Sequence, residues 1–155
     1  MKDTKRGIER KKASTIFFIS FIILFYDQLT KFIVLKQLPF KYSMQVIPKL
    51  FYLTHVRNYG AAFSLFQNSS QLLLWFSVIV VGFILYLYDK IPYENLPQIF
   101  IALILGGTLG NLIDRLVYGY VIDFLDFQIW PAFNIADTAI TIGVIGLIIY
   151  LIKKT

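Results

Sequence analysis

Three aspartates, Asp123, Asp126 and Asp137, stand in one stretch near the end of the chain, VIDFLDFQIWPAFNIADT (Val121 to Thr138). Apolar runs flank them on both sides, and a carboxylate beside hydrocarbon costs on the order of several kcal/mol unless it is paired, protonated or solvated. The chemistry open to such a chain is narrow. It has no cysteine, and its single histidine, His55, has no partner motif, so neither thiol nor serine–histidine catalysis is supported. One histidine without cysteine also falls short of a zinc ligand set. What remains is a pair of carboxylates. Two aspartates a few ångströms apart do not both ionise cheaply and share one proton. The ionised member then deprotonates a water while the protonated one polarises an amide carbonyl, and the titration belongs to the pair.

Further polar residues are placed to serve such a site. In GGTLGNLIDR, Asn111 and Asp114 lie three apart and share a helix face with Gly107 and Gly110, and Arg115 follows at the boundary of the apolar run. Gly106 and Gly110 fit a small-xxx-small helix-packing pattern. In YDQLTK, Asp27 and Lys31 are four apart in the favourable order for a helical ion pair, which marks them as structural support. Two β-like runs, LFYLTHV and AAFSLF, flank RNYG, where Asn58 and Gly60 favour a turn and the Asn58 amide can meet a peptide backbone. His55 is expected as an interfacial ring and Asp126 as a solvated interfacial residue. VIDFLDF alternates too tightly for a helix and reads as an extended segment; PAFNIADT then opens a helix, with Asn134 and Asp137 in its first turn.

The elements that must position these groups are membrane helices. The 155 residues are 57% hydrophobic and only 15% charged, with a mean hydropathy of +0.67, against roughly a quarter charged in a soluble domain. Four stretches reach spanning length, at about 15–35, 72–88, 97–117 and 136–152, within a single integral domain covering 1–155. The first is too long, and too often interrupted by polar residues, to read as a cleaved signal peptide. The net charge of +6 does not point to nucleic acid, because the basic residues cluster beside the apolar runs: Lys2, Lys5, Arg6, Arg10, Lys11 and Lys12 before the first, Lys90 between the second and third, Lys153 and Lys154 after the last. That bias puts both termini in the cytoplasm and the loops 37–69 and 118–135 outside. Lys41, Lys49 and Arg57 depart from it. The unusual polar residues fall almost entirely on the outer side.

Taken in order over four spans, YDQLTK, RNYGAAFS, GGTLGNLIDR, VIDFLDF and FNIADT closely resemble the five motif blocks of lipoprotein signal peptidase, also called signal peptidase II. The resemblance runs from about Tyr26 to the last span; the stretch between the two aspartate blocks is short for the family. It implies a mainly α membrane protein of four transmembrane helices, with a small extracytoplasmic β-sheet and loop region between the first two. It implies an aspartic endopeptidase with Asp123 and Asp137 as the catalytic dyad. Asn58, Gly60, Asn111, Asp114, Arg115 and Asn134 would line or brace the substrate cleft, and Asp27 with Lys31 would support it. Neither metal nor cofactor is implied. The expected partners are a diacylglyceryl-modified prolipoprotein, cut just before its lipidated cysteine, membrane lipids and globomycin-like inhibitors, and the expected location is the bacterial cytoplasmic membrane with the site at its outer face. Two other readings compete: a small proton-coupled transporter subunit using carboxylates as a relay, and a Mg²⁺-dependent lipid phosphotransferase with Asp114, Asp123 and Asp126 as ligands.

Overall fold

A computed structural model describes residues 2–60 and 69–154. Four helices and three strands follow in the order α1 (Lys2–Gln37), β1 (Ser43–Ile47), β2 (Phe51–Asn58), α2 (Ser70–Tyr86), α3 (Asn95–Tyr118), β3 (Val121–Asp126) and α4 (Ile135–Lys154), with a short 3₁₀ turn at Tyr88–Lys90 before α3. Among the described residues three helical segments are long and apolar enough to cross a membrane: Gly7–Gln37, Asn95–Tyr118 and Ile135–Lys154. The 17-residue α2 is apolar but shorter. Helix α1 starts at Lys2, well before the apolar run begins near Thr15, because the basic segment contains no proline to break it; it ends just ahead of Pro39, whose ring disfavours helix in the residue before it. Helix α3 stops where Gly119 turns left-handed at φ 79° and its N–H returns to the Arg115 carbonyl at 3.1 Å.

Helix α3 is the centre of the bundle and packs on α1, α2 and α4. Its small residues set the spacing. A Cβ on Gly106 would lie 2.7 Å from the Ser20 carbonyl oxygen of α1, and one on Gly107 would lie 2.5 Å from the Ala136 carbonyl oxygen of α4. Ser20 Oγ donates to the Ala102 carbonyl at 3.0 Å and ties the same helix pair. Gly110 leaves room for a side chain, since a Cβ there would meet Asp27 Oδ2 at 2.5 Å. The glycine pattern is thus a packing device at Gly106 and a space for a carboxylate at Gly110.

The sheet is antiparallel, ordered β1-β2-β3. Strand β2 falls on the expected LFYLTHV run. Strand β1, SMQVI, was not anticipated: all five of its residues are exposed, so it shows no in–out alternation of burial. AAFSLF lies outside the described residues. The third strand is the VIDFLD segment, which arrives from beyond α3 and sets Asp123 opposite Val56 and Val121 opposite Asn58. Ile122 and Phe124 pack with Val34 and Leu38 of α1, and strand alternation sends Asp123 to the other face. His55 is not an interfacial ring: it is buried, with Nδ1 2.9 Å from the Leu38 carbonyl at the end of α1 and its ring edge-on to Phe40.

Gly107→Ala is expected to destabilise the protein by about 1–3 kcal/mol, because its methyl meets backbone that cannot swing aside. Gly82→Ala, with nothing within 4 Å of the new methyl, is expected to be neutral or mildly stabilising. Thermal unfolding of the two variants in detergent checks the pair.

Candidate active site

The site is built outward from one buried cation. Lys31 of α1 lies 2.8 Å from Asp27 Oδ2, 2.8 Å from Asp114 Oδ2, and donates to Asn111 Oδ1 at 3.0 Å. These four side chains are all nearly inaccessible. Each acid also reaches a different element. Asp27 Oδ1 accepts the Ala136 N–H at the start of α4, at 2.9 Å, and Asp114 Oδ2 accepts the Ile122 N–H at the start of β3, at 3.1 Å. Gln28, which the sequence reading passed over, donates to Asp114 Oδ1 at 2.9 Å and to the Gly110 carbonyl at 3.1 Å. It stands between Asp27 and Leu29, and nothing in the one-dimensional pattern shows that it turns inward.

Beside this cluster the two aspartates meet a set of oriented amides. Asn58 Nδ2 donates to Asp123 Oδ2 at 2.8 Å, and Asn134 Nδ2 donates to Asp123 Oδ1 at 2.7 Å. Asn111 Nδ2 donates to Asp137 Oδ1 at 2.8 Å. Asn134 and Asp137 cap α4 reciprocally: the Asp137 N–H donates to Asn134 Oδ1 at 2.8 Å, and the Asn134 N–H donates to Asp137 Oδ2 at 3.3 Å. The N-terminal role foreseen for an aspartate in this turn is therefore filled by both residues at once. Gly60 holds Asn58 in place, its N–H on Asn58 Oδ1 at 3.0 Å, so that the amide nitrogen faces Asp123. Asp123 is 1% exposed. Burial, and after it the charge of Asp137, pushes its carboxyl up to about 8 against the pull of the Asn58 and Asn134 amides.

A cleft of about 710 Å³ opens over the pair. Asn58, Gly60, Asn111, Arg115, Asp123 and Asp137 line its polar part. Arg115 Nη1 donates to the Asn111 carbonyl at 3.3 Å, and its Nε is buried without a hydrogen-bond partner. Leu73, Phe76 and Val80 of α2 face Ile140 and Val144 of α4 across the apolar part, with Trp130 to Phe133 at the rim. These apolar residues are indistinguishable in sequence from lipid-facing ones. Asp114 and Asn134 stand behind the cleft surface rather than on it. Asp126 is not a freely solvated residue: it accepts from Thr54 Oγ1 at 3.1 Å and from the Gln128 backbone and side-chain nitrogens at 2.8 Å each.

Fold and site together define a helical membrane protein with one buried and one half-buried carboxyl, presented by a strand and a helix, at the floor of a half-apolar cleft. Residues 19–153 match the family model described as Signal peptidase (SPase) II. The chain is 40% identical over 136 residues to a lipoprotein signal peptidase of Halothermothrix orenii, covering 88% of this chain and 94% of that one. It is 46% identical over 128 residues to one of Moorella thermoacetica, covering 82% and 85%. A bacterial membrane enzyme solved by the in meso method at 2.3 Å superposes with a TM-score of 0.85 at 36% identity, covering 90% of this chain and 88% of that one. The chain belongs to the signal peptidase II family.

The raised Asp123 carboxyl has a measurable consequence. Between its ordinary value of 3.8 and about 8, the folded protein keeps a proton that the unfolded chain has released, so this group's contribution to stability is full below about pH 4 and is lost as pH rises through about 8. The unfolding temperature is expected to fall across that window. Asp123→Asn, which fixes the uncharged form, is expected to flatten the slope and to leave the variant more stable than wild type at pH 8. Thermal scans across pH on both proteins read this directly.

Proposed function

We propose that this protein is an aspartic endopeptidase that removes the signal peptide from diacylglyceryl-modified prolipoproteins, cutting just before the lipidated cysteine, with Asp123 and Asp137 as the catalytic pair. The observation that carries the assignment is the bridging of the two carboxyls by Asn134, which donates to both while a cleft opens above them. In the mechanism the two carboxyls hold one proton. The ionised member takes a proton from water, and the resulting hydroxide attacks the scissile carbonyl carbon as the protonated member gives its proton to the carbonyl oxygen. Collapse of the tetrahedral diol returns a proton to the amide nitrogen and breaks the C–N bond. The signal peptide leaves with a new carboxylate, and the lipidated cysteine gains a free amine. Asn58, Asn111 and Asn134 hold the carboxyls in register, and Arg115 offers donors to the substrate backbone. Gly60 fixes Asn58, Asp114 fixes the start of β3, and Asp27 with Lys31 anchors the assembly.

The apolar half of the cleft suits the hydrophobic segment of the signal peptide, since its α2 and α4 walls recur at helical spacing. Cyclic lipopeptides of the globomycin kind are expected to compete there. All four helices span in this reading. Helix α2, at about 26 Å, is a little shorter than the roughly 30 Å hydrocarbon layer, a mismatch that local thinning of the bilayer and flanking residues absorb. Four spans put both termini on one side, the cytoplasmic side by the basic residues, and the site at the outer face of the bacterial cytoplasmic membrane, within a single domain.

The alternative readings gain nothing. No charged side chain lies between Lys12 and Asp27 in α1, between Glu94 and Asp114 up to and along α3, or between Asp137 and Lys153 in α4, so a proton relay across the bilayer lacks intermediate stations. The DFLD acids do not join Asp114 in one array, since Asp126 turns to Thr54 and Gln128.

Purified protein is expected to cleave a diacylglyceryl prolipoprotein with EDTA present, and Asp123→Asn or Asp137→Asn to lower kcat by more than about 10³-fold while the protein stays folded. Near wild-type cleavage by either variant would remove it from the catalytic role. Because the chain has no cysteine, single cysteines report orientation: in spheroplasts Gln45→Cys is expected to react with an impermeant maleimide, and Lys90→Cys only after lysis. The reverse pattern would invert the topology.

A further inference from the structure

The end of the bundle that carries the sheet shows a charge imbalance that the protease site does not use. Five acids sit there, and all are engaged: Asp27, Asp114 and Asp123 are buried, and Asp126 and Asp137 are half-buried and hydrogen-bonded. The other acids, Asp3, Glu9, Asp89 and Glu94, belong to the opposite end. Lys36, Lys41, Lys49 and Arg57 are exposed beside the sheet, and among the described residues none has an acidic partner within ion-pair distance. These include the basic residues that break the positive-inside bias.

Their placement is organised. The Arg57 guanidinium lies between two rings, 4.3 Å from the centroid of Phe40 and 5.1 Å from that of Tyr120, and Lys41 Nζ is 5.6 Å from the same Phe40 ring. Two like charges held on one ring repel, and an anion bound between them offsets that repulsion. Lys41 and Lys49 occupy left-handed backbone, φ 65° and 61°, at the two turns that frame β1. Glycine or asparagine takes that conformation with less strain, so lysine there is a poor local choice for the turn itself. Between and beside these cations Tyr42, Met44, Val46, Ile47 and Leu50 are exposed apolar or amphipathic groups. Apolar side chains interleaved with unpaired cations match the level where acyl chains meet phosphate.

We infer that this face of the sheet binds the headgroup phosphates of anionic phospholipids, with Lys41 and Arg57 about Phe40 at its centre and Lys49 on its flank. The planar Arg57 fork takes two phosphate oxygens, and the lysines act as point charges beside it. Which leaflet supplies the lipid rests on the orientation proposed above; the surface itself does not. The diacylglyceryl group of the proposed substrate carries no phosphate, so this surface is separate from substrate recognition.

Native mass spectrometry of the full-length protein in detergent, titrated with phosphatidylglycerol or phosphatidylcholine, tests the inference without using cleavage as a readout. Wild type is expected to retain phosphatidylglycerol preferentially. The triple variant Lys41→Asn, Lys49→Asn, Arg57→Gln is expected to lose about fivefold in that preference per cation removed. Lys41→Asn alone is expected to hold or raise the unfolding temperature, since asparagine suits the turn, which separates lost binding from misfolding. The basic segment before the first span is controlled by replacing Lys2, Lys5, Arg6, Arg10 and Lys11 with glutamine, which is expected to leave a selective site in place. Unchanged preference in the triple variant, or complete loss in the N-terminal variant alone, would overturn the assignment.

Discussion

The arrangement depends on a single ammonium in an apolar surrounding. Lys31 has three N–H donors and all three are used, on Asp27, Asp114 and Asn111. Burying three charges is unfavourable unless nearly every polar atom is satisfied. The structure meets that condition by giving each acid a second donor from elsewhere. Those second donors make the cluster architectural: the Ala136 N–H belongs to the first turn of α4, and the Ile122 N–H to β3. One cation thereby fixes α1, α3, α4 and the sheet relative to each other at the level where Asp123 and Asp137 must meet.

From that hub the amides follow by elimination. Asn111 Oδ1 accepts from both Lys31 and Asn134, so its nitrogen can only face Asp137. Asn134 Oδ1 is taken by the Asp137 N–H, so its nitrogen serves Asp123, Asn111 and the Ile122 carbonyl. Asn58 Oδ1 is taken by Gly60. Each asparagine has its oxygen engaged by structure and its nitrogen aimed at a carboxyl or its neighbour, so the orientation of all three is set by donors other than the two carboxyl groups. This is preorganisation in a low-dielectric site, where turning an amide would strand a buried donor.

Much of this was legible in the sequence, for identifiable reasons. Four apolar runs, a helical i,i+4 ion pair at Asp27 and Lys31, and an Asn–Asp first turn ahead of α4 are local patterns, and local patterns survive in one dimension. The alternation of VIDFLD marked β3 for the same reason. What stayed hidden is set by tertiary partners. Strand β1 shows no alternating burial, because neither of its faces enters the core. His55 reads as an interfacial ring until the end of α1 is seen to cover it. Gln28 and the Thr54 bond to Asp126 depend on residues more than seventy positions away. That Asp123 and Asp137 lie near each other came from the membrane topology, which puts both at the outer side, and from the family resemblance, since no spacing rule connects a strand residue to one in the next helix.

The two walls of the cleft differ in kind. The side that carries the carboxyls is tied by side-chain hydrogen bonds running between α1, α3, β3 and α4. Helix α2 makes its helix contacts with α3, and its one described side-chain hydrogen bond, Ser77 to the Leu73 carbonyl, stays within the helix. Apart from Ser77, whose hydroxyl is spent on that bond, its cleft face is apolar, with Leu73, Phe76 and Val80. In a bilayer such a wall gains little from packing against protein rather than lipid, since both are apolar. A hydrophobic substrate segment can therefore take the place of lipid against α2 at small free-energy cost. The carboxyls stay where they are, because moving either would break hydrogen bonds that lead back to Lys31. The proposed site thus joins a rigid side that carries the carboxyls to an apolar wall whose contacts are exchangeable.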